Sequence, residues 1–162
     1  MIINKTPFRI SFFGGGTDFP SYYLKEGGCV IGGTIDKYCY VTARYLPNVF
    51  DFKHRIVWSK NETVKNYQDI HHPTVRSVFK YMNIKKGLEI HYQGDLQKNS
   101  GLGTSSAFCV GLFNTLYNIE KKKISKKDVY YLEGDYIWGR KNKLFGWRSK
   151  TKKYSVTLGA GI

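Results

Sequence analysis

The stretch that decides the fold is "SGLGTSSAF", which runs from Ser100 to Phe108. Its glycines and hydroxyl side chains are followed by apolar residues at helical spacing, which predicts a tight turn entering a helix near Ser105 or Ser106. A helix N-terminus presents unpaired N–H groups and partial positive charge, so a turn of this kind can bind a phosphate. A serine-capped helix after a tight turn explains the same stretch equally well.

This turn differs from the two familiar glycine-rich phosphate loops. No lysine follows its glycines, which excludes the P-loop pattern, and Ser106 stands where a dinucleotide fingerprint has its third glycine. If the turn does bind phosphate, Gly101 and Gly103 let the backbone approach it without interference from a Cβ. The hydroxyls of Thr104, Ser105 and Ser106 then donate hydrogen bonds to phosphate oxygens or coordinate Mg²⁺.

A second glycine motif, "FFGGGTDF", lies near the N-terminus. It follows the strand-like run "PFRISFF", residues 7–13, and ends in Thr17 and Asp18. A carboxylate at this place can accept hydrogen bonds from sugar hydroxyls, although Asp after Gly also commonly caps a turn. Arg9 lies on the preceding strand and either faces the same cleft or occupies a solvated edge.

Other runs in the first half of the chain predict strands. Residues 29–35 and 38–46 are rich in β-branched and aromatic residues and predict two strands joined at Asp36–Lys37. Residues 54–59 predict a third strand, and residues 61–72 are interpreted as a polar excursion without regular structure.

The remaining pattern alternates between helix and strand. Pro73 is typical of a helix N-terminus and begins an amphipathic pattern over 73–82. Alternation over 88–93 predicts a half-buried strand, and "SKKD" at Ser125 predicts the start of a further helix. Strands followed by helices, with glycine-rich turns between them, indicate a two-layer α+β domain.

The charge balance points to an anionic partner. The 162 residues carry a net charge of +14, which suggests nucleic acid, acidic lipid or a phosphorylated small molecule. An AT-rich bacterial composition is the better explanation for the basic body of the chain, but not for its tail. The chain shows no apolar run of membrane-spanning length and no signal pattern, and its cysteines and histidines lack metal spacing. We therefore expect a cytoplasmic protein with reduced thiols and no membrane partner.

The sequence resembles the GHMP family of small-molecule kinases, which includes galactokinase, homoserine kinase and mevalonate kinase. The segments that carry the resemblance are "PFRISFFGGGTDFPSYY", "GGCVIGGTIDKYCYVTAR" and "SGLGTSSAFCVGLFNTL". Within the family they are most similar to the D-glycero-D-manno-heptose 7-phosphate kinases. The resemblance covers about residues 1–135. It implies a GHMP kinase N-terminal domain with the ribosomal protein S5 domain 2-like fold.

The resemblance also implies a nucleotide site with ATP and Mg²⁺ as cofactors. The residues implied to cradle the triphosphate are Ser100, Gly101, Leu102, Gly103, Thr104, Ser105 and Ser106. The implied metal ligands are Ser105 and Glu133, although the choice among the hydroxyls of Thr104, Ser105 and Ser106 stays open.

The implied sugar site lies at the first glycine motif. The resemblance places substrate binding at Gly15, Gly16, Thr17 and Asp18. Arg9 matches the basic residue that stabilises charge on the transferred phosphoryl group, so it is the implied catalytic residue.

The end of the chain departs from the family pattern. Relatives carry a catalytic Asp past the Glu133 region, whereas here no acidic residue follows Asp135 and Lys152 or Lys153 stands near that place. We expect residues 1–135 to form the N-terminal ATP-binding domain and residues 136–162 a divergent basic tail, with the C-terminal GHMP domain absent. The abrupt charge change motivates the hypothesis of a frameshifted gene, which a contiguous in-frame genomic read would contradict. Such a chain should turn over weakly or not at all.

Three interpretations of the chain remain open. The leading one is an ATP-dependent kinase that transfers the γ-phosphoryl group to the anomeric hydroxyl of a heptose 7-phosphate, with ATP and the sugar phosphate as its partners. The alternative is a non-catalytic basic module that binds nucleic acid through Thr42–Pro47, although we do not expect nucleic acid as a partner. A fragment without function, exposing unpaired apolar faces, is the third. The sequence leaves the oligomeric state open.

Overall fold

The computed structural model describes residues 1–17, 20–97, 100–122 and 156–157. A long antiparallel pair opens the chain: β1 (Ile2–Phe13) and β2 (Ile31–Tyr45), with helix α1 (Pro20–Glu26) between them. β1 begins earlier than its predicted start at Pro7, since alternate side chains from Ile2 onwards are partly covered.

β2 is one continuous strand, so the predicted break into two strands at Asp36–Lys37 is wrong. The pairing shifts register there instead: Pro7 lies opposite Tyr38, whereas Arg9 lies opposite Thr34. The extra residues of β2 form a bulge that leaves the two polar side chains exposed, as a turn would have done.

Three shorter strands continue the sheet beyond β2. They are β3 (His54–Val57), β4 (Asn61–Val64) and β5 (Leu88–Gly94), and the order across the sheet is β1-β2-β5-β3-β4. β5 runs antiparallel to β2 and parallel to β3. β6 (Val156–Thr157) pairs in parallel with Ile31 and Gly32, at the N-terminal end of β2.

Two helices cover one face of this sheet. A 3-10 turn (Tyr67–Asp69) precedes α2 (Pro73–Met82), and α3 (Thr104–Ile119) follows β5. α2 has the predicted bounds because Pro73 fixes its start and its apolar face is buried. The predicted helix at Ser125 lies outside the described residues. The two-layer α+β architecture is confirmed.

The polar excursion predicted over residues 61–72 was wrong for its first residues, which form β4. The Glu62 side chain in this strand is only 7 % exposed. Its carboxylate accepts hydrogen bonds from Trp58 Nε1 at 2.8 Å and from the His71 N–H at 2.7 Å. A buried glutamate that accepts two hydrogen bonds is compatible with a strand. It interrupts the alternation of apolar and polar residues in the sequence from which a strand is predicted.

The core lies between the sheet and the helices, and it fixes the position of α3. Leu112, Phe113 and Leu116 of this helix are fully buried against the sheet. Gly111 permits the close approach, since a Cβ there would lie 3.0 Å from Thr6 Oγ1 and 3.2 Å from Val41 Cγ2. α3 is therefore seated on β1 and β2, and its N-terminus has a defined place at the edge of the sheet.

Candidate functional site

The turn that enters α3 is held by two left-handed glycines. Gly101 and Gly103 have φ angles of 74° and 72°, and Gly103 is the N-cap of a helix that begins at Thr104. The prediction of a start at Ser105 or Ser106 was one residue late. The N-cap is a glycine and not a serine, so the alternative of a serine cap is wrong. The first turn carries no acidic residue either, which leaves its backbone N–H groups suited to an anion.

The Arg9 side chain crosses directly over this turn. Its backbone N–H donates to the Leu102 carbonyl at 3.2 Å, which attaches the turn to the free edge of β1. A Cβ at Gly103 would lie 3.1 Å from Arg9 Cγ and 3.4 Å from Arg9 Nε. The structure therefore brings the predicted catalytic arginine to the N-terminus of α3, where both the guanidinium and the helix dipole favour negative charge.

Ser11 joins the two glycine motifs, and the sequence analysis missed it. Arg9 Nη1 donates to Ser11 Oγ at 3.0 Å. On the other side, a Cβ at Gly15 would lie 3.6 Å from Ser11 Cβ. The available signal was strand periodicity, because residues two apart in a strand project from the same face. Arg9 and Ser11 thus form a short bridge between the turn at Gly103 and the turn at Gly15.

The turn after β1 is closed by Thr17. Its hydroxyl lies 2.7 Å from the Gly14 carbonyl oxygen and 3.0 Å from the Cys29 carbonyl oxygen, and it accepts from the Cys29 N–H at 3.2 Å. Gly14 has a φ of 74°, and a Cβ there would lie 1.8 Å from the Cys29 oxygen. The Thr17 hydroxyl therefore stabilises the turn, and its predicted contact with substrate stays a prediction.

The structure describes only some of the residues that were predicted to bind the substrate around this turn. Gly15 and Gly16 are exposed, and a Cβ at Gly16 would meet no atom of the described residues within 4 Å. Asp18, predicted to bind the sugar, lies outside the described residues, as does Glu133, the predicted metal ligand.

The hydroxyl residues of α3 differ in exposure. Thr104 is 8 % exposed, Ser106 is half-buried and Ser105 is exposed. Ser105 is thus the most accessible of the three to a ligand in solvent. Within the described ranges, no group of three or more His, Cys, Asp or Glu side chains gathers to hold a metal ion. The predicted Mg²⁺ ligands Ser105 and Glu133 stay a prediction, as does the choice among the three hydroxyls.

The turn has several features that favour phosphate binding. A Cβ at Gly101 would meet no atom of the described residues within 4 Å. Left-handed glycines, a helix start without a side-chain cap, and an adjacent guanidinium all fit a polyanion such as a triphosphate.

Comparison with known proteins supports the fold. A family model described as the GHMP kinases N terminal domain matches residues 66–140. The fold is that of a GHMP kinase N-terminal domain. A comparison with curated proteins finds no match. In the part of the chain that the structure describes, no helix is both long and apolar enough to cross a membrane.

Solved GHMP kinase structures share the fold at low sequence identity. A D-glycero-D-manno-heptose 1-phosphate kinase from Bacteroides thetaiotaomicron matches 82% of this chain and 46% of its own, at 18% identity and a TM-score of 0.70. The mevalonate kinase of Methanococcus jannaschii matches 82% and 44%, at 16% identity and a TM-score of 0.62. Galactokinase from Lactococcus lactis, complexed with galactose, matches 83% and 38%, at 18% identity and a TM-score of 0.62. The chain spans less than half the length of these structures.

Proposed function

We propose that this chain binds ATP at the α3 turn as the nucleotide-binding part of a sugar-phosphate kinase. The reaction we propose is transfer of the γ-phosphoryl group to the anomeric hydroxyl of a heptose 7-phosphate. The observation that carries the proposal is the crossing of Arg9 over Gly103. The match to the GHMP kinases N terminal domain and the shared fold of the heptose 1-phosphate kinase support it.

The proposed nucleotide site works mainly through fixed donors. Residues Gly101 to Ser106 would hold the triphosphate with backbone N–H groups and hydroxyls, and ATP with Mg²⁺ would supply the phosphoryl group. Arg9 is already positioned by Ser11, so its charge needs no large rearrangement to meet a phosphate. Phosphoryl transfer depends on this kind of positioning and charge stabilisation.

The proposed acceptor site lies beside the same bridge. Gly15, Gly16, Thr17 and Asp18 would bind the sugar, with Asp18 accepting hydrogen bonds from its hydroxyls. Because Ser11 contacts both Arg9 and the region of Gly15, a sugar there would lie next to the phosphate-binding turn. Residues 136–162 contain no Asp or Glu, so we do not assign the base for the acceptor hydroxyl to this segment.

A titration of heptose 7-phosphate in the presence of a non-hydrolysable ATP analogue tests the choice of substrate. We expect Asp18→Asn to weaken heptose 7-phosphate binding about tenfold, since a carboxylate accepts stronger hydrogen bonds than an amide. Asp36→Asn is the matched control, because Asp36 is an exposed carboxylate on β2. Equal binding of galactose, or equal effects of the two variants, would contradict the proposed acceptor.

A further inference from the structure

A basic pocket lies at the opposite end of the sheet from the α3 turn. The pocket forms where β2 ends and β5 begins, whereas the α3 turn comes after the end of β5. The seven residues of β5 span roughly 20 Å, which is the approximate separation of the two sites along the strand. The pocket has a volume of about 580 Å³. Its walls are Tyr45, Asn48, Lys53, Lys85 and Lys86, and Leu46 and Gly87 form its floor. We call it the lysine pocket.

The floor of the lysine pocket is tied together by backbone contacts. The Leu46 N–H donates to the Gly87 carbonyl at 2.9 Å, and Leu46 itself is buried. A Cβ at Gly87 would lie 2.7 Å from the Lys53 carbonyl oxygen, so only glycine lets these segments meet. Lys53 is anchored in turn by its N–H, which donates to Val64 at 3.0 Å.

The aromatic wall is also fixed. The Tyr45 hydroxyl lies 2.9 Å from Glu120 Oε1 and 3.1 Å from the Ile119 carbonyl oxygen, at the C-terminal end of α3. Lys86 Nζ lies 5.0 Å from the centroid of the Tyr45 ring. Because the floor and this wall are held by the protein itself, a ligand would enter a largely preformed site and would order little backbone.

The Glu120 carboxylate is hydrogen-bonded to the Tyr45 hydroxyl but does not line the lysine pocket. Among the residues that the structure describes, three lysines line it and no carboxylate does. A smaller pocket of about 300 Å³ lies on the outer face of the sheet, the face opposite α2 and α3. It differs from the lysine pocket because a carboxylate, that of Glu89, lines it.

Glu89 satisfies the cations around it. Its carboxylate pairs with Arg44, with Arg55 at 3.3 Å and with His91 at 2.9 Å. Burial opposes its ionisation, but hydrogen bonds from His91 and Arg44 outweigh burial and lower the Glu89 pKa. At the outer face the protein therefore supplies the counter-anion, whereas the three exposed lysines of the lysine pocket are accessible to an anionic ligand.

We propose that the lysine pocket binds a phosphorylated small molecule of about nucleotide size. Ammonium groups bind phosphate as point charges, and the volume lies within the usual range for small-molecule sites. The site is separate from the α3 turn, so the proposal does not rest on the proposed kinase function. The phosphates of single-stranded nucleic acid share this chemistry, and Tyr45 and Leu46 belong to the Thr42–Pro47 stretch considered for nucleic acid. The test separates the two sources.

The probe is sodium pyrophosphate without Mg²⁺, titrated into the full ¹⁵N-labelled chain at constant ionic strength. We expect amide shifts at Leu46, Lys85 and Gly87 that saturate together. Lys86→Gln should weaken this binding about tenfold, because it removes one of three charge contacts. Lys5→Gln is the matched control, since Lys5 Nζ also lies over a tyrosine ring, 3.6 Å from the Tyr38 centroid, but outside the pocket.

Three results would overturn the proposal. The first is equal weakening by Lys5→Gln and Lys86→Gln, which would mean that only net charge matters. The second is a titration that shifts the amides of residues 101–106 alone. The third is a short oligothymidylate that binds at Leu46, Lys85 and Gly87 when pyrophosphate does not, which would assign the pocket to nucleic acid.

Discussion

The two ends of the sheet offer positive charge in different ways. At the α3 turn the donors are backbone N–H groups, fixed by left-handed glycines, together with one arginine held over the turn. In the lysine pocket the donors are three flexible ammonium groups around a rigid floor. Backbone donors select a ligand by shape and direction, whereas lysines select it mainly by charge. The first arrangement suits the transfer of one particular phosphoryl group, and the second suits binding of a phosphate-rich ligand.

The largest expected effect is acid destabilisation, which begins beside the lysine pocket. His54 is buried at the start of β3, and its Nδ1 accepts from the Leu88 N–H at 3.4 Å, which ties β3 to β5. Burial, together with the nearby Lys53 charge, lowers the His54 pKa from 6.5 to about 4. The neutral histidine therefore contributes stability above pH 6.5 that is lost as the pH falls towards 4, about 3 kcal/mol in all.

Urea unfolding at several pH values checks this prediction. The free energy of unfolding should fall between pH 6.5 and 4, and His54→Phe should flatten that part of the curve because the pocket beside Phe79 then holds no titrating group. An unchanged slope in the variant would show that other groups cause the acid sensitivity.

The next effect separates the two glycines of the α3 turn. An alanine at either position would adopt a left-handed backbone at a cost of about 1–2 kcal/mol in stability. Only at Gly103 would the new methyl group meet Arg9. We therefore expect Gly103→Ala to weaken Mg-ATP binding about 10- to 100-fold, and Gly101→Ala to weaken it much less. Calorimetric titration of both variants, with thermal melts to confirm folding, gives the comparison. Equal losses would argue against a role for the Arg9 position.

Salt should also distinguish the two ends. Raising ionic strength from about 0.05 M to about 0.5 M screens exposed charges strongly. Pyrophosphate binding in the lysine pocket should weaken about tenfold over this range, because the Lys53, Lys85 and Lys86 side chains are exposed to solvent. Mg-ATP binding at the turn should weaken by a smaller factor, since its backbone donors are uncharged. Similar factors at both sites would remove the distinction drawn between them.

The smallest effect concerns stability. Lys86→Gln and Lys5→Gln each remove an exposed cation–π contact, which is worth about 0.5–1 kcal/mol. Urea unfolding of the two variants should give similar small losses. That equality would make their different effects on pyrophosphate a property of the pocket, whereas a much larger loss for Lys86→Gln would reveal a structural role.

Local signals in the sequence were sufficient for much of the fold. Pro73 and the apolar spacing after it predicted α2, and the glycine motifs predicted both turns. Two features escaped because tertiary contacts decide them. Buried Glu62 removes the alternation of β4, and the bulge of β2 accommodates Asp36 and Lys37 without a turn.

The candidate sites were predicted as parts, and their assembly was not. Arg9 and Gly103 were each identified from the sequence, but nothing local predicts that one side chain crosses the other residue. The lysine pocket could not be predicted from the sequence either, because Tyr45, Lys53 and Gly87 come from three separate segments that only the fold brings together. An abundance of lysine in the sequence does not show which of them share a surface.

One measurement tests the central claim most directly: calorimetric titration of Mg-ATP into the wild-type chain and two arginine variants. Arg9→Gln removes the guanidinium over the turn, and Arg76→Gln removes an equal charge from α2, where Arg76 donates to the Ile70 carbonyl at 3.1 Å. The account predicts binding by the wild type and by Arg76→Gln, and affinity lower by about tenfold or more in Arg9→Gln. Absence of binding by the folded wild type, or equal affinity in the two variants, would contradict it.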